Sequence, residues 1–433
     1  MSGTSAGSGA IEDDGRPIPV NIPKFWGNEE SFVADCIRTG WISSEGPQVA
    51  EFEKQFAKTV NRQHGIACCN GTAALDIAFH VVGLAEGDEV ILPTLTIISC
   101  VNQVVKTRAK PVFVDSCSAA SSPSSKSCSP YNLDLDAVEK AISEKTKVVL
   151  AVHIYEFPCD MERLRALVER ASDKYGKKIY LIEDAAELIG GSFKGKPCGS
   201  FGDISTVSFY PNKHITTGEG GMLLTDDEAV AKKARMSRNL CFDPEKPRFI
   251  HADLGANYRM TCLQAALGLA QLENLEPAIK RKREIGHLYT ELLVDATASD
   301  GIRDSGAKLV GENIRLPVAF DEHGSENIYW VYMIEILHPT LTFSAKDVMG
   351  ALGKAKVGTR PCFYPLHMQP VFLDAESPYF QPQLTAEDAK AYPNAERLSA
   401  KSFYLPSGLG MTDADVHVIT QRFVSVMKGL IQD

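Results

Sequence analysis

From residue 65 onward, short apolar runs take turns with amphipathic stretches: "HGIACC", "TAALDIAFHVVGL", "DEVILP", "IISCVNQVVKT" and "KPVFVD", then "LDAVEKAISEK", "KVVLAVHIY", "MERLRALVERASDKYG" and "KKIYLIEDAAE". Apolar runs bounded by turn residues predict buried strands, and the stretches with a helical period predict helices packed on them. Repeated in this order they describe parallel βα units with helices on both faces of a sheet, whose reactive groups are expected at the carboxyl ends of the strands. Two further strand-like runs, "ISTVSFYP" and "GGMLLTDD", follow. The pattern at 261–293, "TCLQAALGLAQLENLEPAIKRKREIGHLYTELL", predicts one long helix bridging two units. Beyond about 310, "NIYWVYMIEIL", "SAKDVMGALGKAK" and "DADVHVITQRFVSVMKGL" predict a smaller α+β unit. The organisation expected is a flexible leader at 1–16, a large domain at 17–293 with a serine-rich surface loop at 116–130, and a small domain at 294–433.

Composition narrows the function classes. The chain has 433 residues, 44% of them hydrophobic and 23% charged, with a net charge of −10. That is ordinary for a globular protein, and it argues against nucleic acid or an anionic membrane as partner while allowing a local phosphate site. The eleven cysteines show no metal-ligand spacing, and in a chain without an export signal they are expected to be reduced thiols of a cytoplasmic protein. No apolar run reaches the roughly 18 residues needed to span a bilayer.

Three stretches carry candidate chemistry. In "ACCNGTAAL", Gly71 and Thr72 fall where a strand ends and a helix begins, so free N–H groups and a hydroxyl could hold a phosphate, although turn and capping needs also favour Gly-Thr there. In "YLIEDAAELIGG", Asp184 ends an apolar strand, either as a helix cap or as the partner of a buried cation. In "SFYPNKHITTGEGGM", Lys213 follows Ser208 and precedes Gly218, Gly220 and Gly221. A lone lysine by a turn is ordinarily a solvated surface group. Phosphate cradle, strand-end Asp and strand-end Lys together are the anchor, electronic tuner and amine that pyridoxal 5'-phosphate requires.

With these motifs, "GWISSEGP", "GDEVILPTLTIIS", "NYRMTCLQAALGLAQL", "RPCFYPLHMQP" and "FYLPSGLG", the chain resembles the DegT/DnrJ family of pyridoxal-phosphate-dependent nucleotide-sugar aminotransferases along nearly its whole length. The resemblance implies an α/β fold of the type I class of such transferases: a large mixed, mostly parallel sheet domain and a smaller α+β C-terminal domain. It implies transfer of an amino group from L-glutamate to a nucleotide-linked 4-keto-6-deoxy sugar, with GDP-4-keto-6-deoxy-mannose favoured. Another keto sugar or a cyclitol is the alternative substrate, and a cofactor-binding regulator without turnover the alternative class.

By the same resemblance Lys213 is the amine that binds the cofactor and shuttles protons, Asp184 faces the pyridine nitrogen, and Glu187 lies near the ring's oxygen. Gly71, Thr72, Ala73 and Ser208 fall at phosphate-binding positions, and Ile97 stands where many relatives stack an aromatic ring. Asn257, in "NYR", is expected to cross to the phosphate of a neighbouring subunit with Arg259 nearby, which implies a homodimer with shared sites. Trp41, Ser43, Arg259, Arg360, Tyr364 and His367 are the candidates for the sugar and nucleotide. Histidine in place of the lysine would imply dehydration; here the lysine is present and His214 follows it. Glu156 stands where relatives often carry glycine. No metal ligand set is expected.

Overall fold

The computed structural model describes residues 13–118, 129–243, 245–247, 249–299, 309–337, 343–384 and 392–432. In chain order the first elements are α1 (Glu29–Thr39), α2 (Pro47–Thr59), β1 (His64–Cys68), α3 (Gly71–Val81), β2 (Glu89–Pro93), α4 (Ser99–Lys106), β3 (Lys110–Val114), α5 (Leu135–Ala141), β4 (Thr146–Val152), α6 (Met161–Tyr175) and β5 (Tyr180–Asp184). A small hairpin of β6 (Ser192–Phe193) and β7 (Lys196–Pro197) leads to β8 (Ile204–Ser208), β9 (Gly221–Thr225) and α7 (Glu228–Arg238). These strands, the hairpin aside, form a seven-stranded sheet in the order β1-β9-β8-β5-β4-β2-β3. Only β9 runs against the rest, antiparallel to both neighbours, so every other strand ends at the same edge.

The expected alternation is therefore present, and its cause is visible in the strands. All five residues of β2, "EVILP", are buried, as a strand covered on both faces requires. Side-chain caps start α3 and α6: Asn70 accepts from the Ala73 N–H, and Asp160 from that of Arg163. Phe52, Phe56 and Phe209 meet at ring centroid separations of 5.0 to 6.1 Å beneath α2, and pin it to the sheet.

The 261–293 stretch is two helices, α8 (Cys262–Leu272) and α9 (Leu275–Ser299), where one was expected. Pro277 has no N–H to return to residue 273, and Asn274 turns its side chain to the Ala270 carbonyl, so the first helix stops and a second starts. The remaining elements are β10 (Ile314–Arg315), β11 (Tyr332–Ile336), α10 (Ala345–Lys354), β12 (Arg360–Pro361), α11 (Pro370–Leu373), α12 (Pro393–Lys401), β13 (Ser402–Leu405) and α13 (Asp413–Gln432). Their strands form a second, antiparallel sheet in the order β10-β11-β13-β12. Ile285, Tyr289 and Leu293 of α9 share its core with Ile334, Leu352 and Phe423. Ile18 belongs to this core and bridges Val357, so the start of the described chain packs on the second sheet, not the first.

Of the loop expected at 116–130, residues 119–128 lie outside the described residues, as do 1–12 of the expected leader; Asp13 and Arg16 pair with Arg422 and Asp415. Among the described residues nine cysteines are free. Cys117 is disulfide-bonded, which corrects the expectation that every cysteine is reduced; composition alone does not show which thiols meet. No helix among the described residues is long and apolar enough to cross a membrane.

Candidate active site

The common edge of the large sheet opens into a cavity of about 430 Å³ lined by Gly71, Thr72, Ile97, Asp184, Glu187, Ser208 and Lys213. They come from the ends of four strands, β1, β2, β5 and β8, or from the turns that follow them, which is how parallel strands bring distant segments together. Seven of the sequence candidates thus share one space. Ala73 is in the same first turn of α3, but its N–H is already taken by Asn70 Oδ1 at 2.8 Å.

The N–H groups of Gly71 and Thr72 have no acceptor among the described residues and point from the start of α3, where the helix dipole favours an anion. Thr72 Oγ1 and Ser99 Oγ lie 2.7 Å apart, and Ser99 lines the cavity as well. A side chain at 71 would bring its Cβ to 3.0 Å from Ser208 Cβ, and one at 221 would come within 2.5 Å of the Asn70 carbonyl. Glycine at both positions keeps the cradle open. Amides and hydroxyls around a space of this shape fit a phosphate group.

Strand β5 sends its last two carboxylates to opposite faces, as the two-residue period demands. Glu183 is wholly buried on the far side, where it accepts from the N–H of Gly199, Phe201 and Gly202, from Ser205 Oγ and from His153 Nε2. Burial alone would raise its pKa, but the hydrogen bonds from His153 and the amides outweigh that and bring it down to about 2. His153 lines the cavity; its Nδ1 accepts the Cys159 N–H, so Nε2 carries the proton given to Glu183. Asp184 faces the cavity, accepts from the Ala186 N–H at 3.1 Å and from the Cys100 thiol at 3.7 Å. Burial raises its pKa, opposed by that N–H and by the Lys213 charge. A cation across from it would favour its ionised form.

Lys213 sits in the connection between β8 and β9, its Nζ 3.7 Å from the centre of the Trp330 ring and without a hydrogen-bond acceptor among the described residues. Burial lowers its pKa to about 8 against the pull of Glu187 and Asp184. Burial raises that of Glu187 to about 8 against Lys213 and the Tyr155 N–H. The neutral amine that a nucleophile requires therefore reaches about half of the population near pH 8, well below the ordinary range of a lysine. His214 points away, its Nε2 on the Ile328 carbonyl at 3.0 Å, and burial brings its pKa to about 3. It is a neutral core histidine.

The candidates outside this cavity divide. Trp41, Ser43 and Arg259 line a second, open cavity of about 720 Å³ with Asn239 and Asp243; Asn257 is exposed in the same segment, bridged to Asn239. Arg360 is exposed and pairs in register with Tyr404, which lines the first cavity. Tyr364 is half exposed beside Phe363, another lining residue. His367 is buried with Nδ1 on Thr94 Oγ1 at 2.7 Å and Nε2 near Glu396 at 3.3 Å; both ring nitrogens are committed, so it is a bracket between the two units and offers nothing to a ligand. Sequence reasoning missed Thr96, Ser99, His153, Trp330, Phe363 and Tyr404 among the lining residues. The first three stand in strand-end turns and could have been found by that rule; the last three come from the second unit and carry no local signal.

With this geometry in hand, comparisons place the chain among known proteins. The profile of the DegT/DnrJ/EryC1/StrS aminotransferase family matches residues 26–424. A GDP-perosamine synthase of Caulobacter vibrioides is 36% identical over 92% of this chain and 95% of its own; that of Vibrio cholerae is 36% identical over 93% and 97%. Among solved structures, DesI in the presence of its TDP-sugar product superposes with a TM-score of 0.77 at 27% identity, covering 97% of this chain and 95% of that one. A protein of Streptococcus pneumoniae in its PLP-form gives 0.79 at 25%, covering 96% and 99%.

Proposed function

The chain belongs to the DegT/DnrJ/EryC1/StrS aminotransferase family, whose cofactor is pyridoxal 5'-phosphate, and from that premise we propose that it moves an amino group from L-glutamate to the 4-keto carbon of a nucleotide-linked 4-keto-6-deoxy sugar. GDP-4-keto-6-deoxy-mannose is the substrate favoured. The observation that carries the reading is the single cavity where Lys213, Asp184 and the open first turn of α3 meet. The choice of sugar is supported by GDP-perosamine synthases alike over more than nine-tenths of both chains.

When bound, the cofactor supplies an aldehyde that captures amines and a ring that takes up electrons from the carbon bearing them. Gly71, Thr72, Ser99 and Ser208 would hold its phosphate, Asp184 its ring nitrogen, and Ile97 would cover the ring with an apolar surface. Lys213 Nζ, about half neutral near pH 8, would hold the cofactor between turnovers and carry the proton from the amino donor's carbon. Trp330, Phe363 and Tyr404 wall the side open to the sugar, and exposed Arg360 at its rim offers a guanidinium to the diphosphate.

We read the active form as a cytoplasmic homodimer. Trp41, Ser43, Asn257 and Arg259 lie together but away from the Lys213 cavity of their own chain, which suits a role in the neighbouring subunit's site. Loading the protein with glutamate and offering GDP-, dTDP- and UDP-linked 4-keto sugars separately tests the substrate. The GDP sugar should return the cofactor's spectrum to its aldehyde form fastest. Equal or faster return with dTDP or UDP sugars rejects the nucleotide assignment, and return with no keto sugar rejects the sugar reading.

A further inference from the structure

Behind the cavity the chain makes a turn of high cost. After β4, the Glu156 N–H donates to the Ile154 carbonyl at 2.8 Å, which closes a three-residue turn around Tyr155 at φ 60°. A γ-turn with positive φ is rare and strained, and a side chain at its centre adds to the strain. Such a backbone persists only where its surroundings over-determine it.

They do so here. The Tyr155 ring stacks on Trp330 at 5.8 Å and 11° and on Phe363 at 5.2 Å and 22°, with Tyr131 edge-on at 5.1 Å. Its hydroxyl accepts the Phe363 N–H at 2.8 Å, and its own N–H donates to Glu187 Oε2 at 2.7 Å. The next residue, Glu156, is buried and meets the Arg315 guanidinium at 3.4 Å; Arg315 is anchored in turn to Glu335 at 2.9 Å. Tyr155 itself does not line the cavity, yet Glu187, Trp330 and Phe363 all do.

We propose that Tyr155, clamped by the Glu156–Arg315 pair, is a positioning residue that sets the Glu187 carboxylate and the Trp330 ring around Lys213. It couples the second unit, which supplies Arg315, Trp330 and Phe363, to a carboxylate just after β5 of the first sheet. Its consequence for turnover rests on the aminotransferase reading; its consequence for Glu187 does not. The groups whose charge reaches Glu187 are Lys213 and Asp184 in the cavity, Cys100 at the start of α4, and Cys362 and Tyr404 from the second unit, besides Tyr155.

The test uses the ligand-free full chain and reads the titration of Glu187 by difference infrared spectroscopy of its carboxyl, assigned by its loss in Glu187→Gln. The Tyr155 ring and hydroxyl hold the strained turn that aims the backbone N–H of residue 155 at Glu187, where it favours the ionised carboxylate; Tyr155→Ala, which releases that turn, should raise the Glu187 midpoint by about one pH unit. Tyr155→Phe, which keeps the ring and loses only the anchor on Phe363, should raise it less. A midpoint at the wild-type value in both variants, or in Tyr155→Phe alone should Tyr155→Ala fail to fold, overturns the proposal and leaves Tyr155 a core aromatic. Attachment of pyridoxal phosphate to wild-type Lys213 is scored separately: its failure would sink the functional reading while the titration still decides the role of Tyr155.

Discussion

Lys213 and Lys282 both carry an amine deep in the protein, within reach of the same tryptophan, and the chain surrounds them in opposite ways. Lys282, on α9, is 1% exposed and its Nζ donates to the Trp330 carbonyl at 2.8 Å and the Ser407 carbonyl at 2.5 Å. Burial lowers its pKa to about 7, and a neutral amine has two N–H groups for its two acceptors. Lys213 faces the ring of Trp330 and a cavity, with carboxylates nearby and no acceptor among the described residues. One amine joins α9 to the segments just before β11 and just after β13; the other is left with its lone pair free. Burial of a lysine alone does not mark chemistry, whereas burial without hydrogen bonds beside an open space does.

Exchanging the two roles should fail in both directions. Lys213→Ala should abolish covalent attachment of pyridoxal phosphate and lower turnover by about ten-thousand-fold, with a melting temperature near that of wild type in calorimetry. Attachment retained in that variant would break the contrast at its stronger end. Asp184→Asn should lower turnover by about a thousand-fold with attachment intact, measured by steady-state kinetics and absorbance; turnover near wild type would leave Asp184 only its contact with the Ala186 N–H.

Lys282→Met should act on stability instead. It leaves the Trp330 and Ser407 carbonyls without donors and should cost about 2 kcal/mol in denaturant unfolding, while attachment at Lys213 persists. The pH dependence sharpens this. Lys282 binds its proton more weakly when folded, at about 7 against the ordinary 10.5, so between those values the unfolded chain holds the extra proton. The wild type's stability advantage over Lys282→Met should therefore grow as pH rises from 7 toward 10.5 and be smallest below 7. The smallest effect is on rate: attachment of added cofactor to wild type should accelerate through pH 8 as Lys213 becomes neutral, and a flat profile would contradict a free amine there.

The two lysines also show what the sequence could and could not disclose. Lys213 is legible because its signal is local: a strand, a turn and glycines, in a chain whose alternating periods announce a parallel sheet and its reactive edge. Asp184, Gly71 and Thr72 are legible for the same reason. Lys282 lies in a basic run of a helical stretch, "IKRKRE", where nothing marks one lysine as buried. Trp330, Phe363 and Tyr404 reach the cavity only because the second sheet docks there, and that docking has no periodic signature. His367 has the composition of a ligand and the surroundings of a bracket, and Tyr155 carries no sign of its positive φ. The break between α8 and α9 does have a residue in the sequence to mark it, Pro277, which cannot donate to the turn before it.

The central claim is that Lys213, not another buried amine, holds the cofactor. Wild-type protein loaded with pyridoxal phosphate, reduced with borohydride and digested, should yield one modified peptide by mass spectrometry, carrying the label on Lys213. Label on Lys282, on any other lysine, or on none would contradict the account.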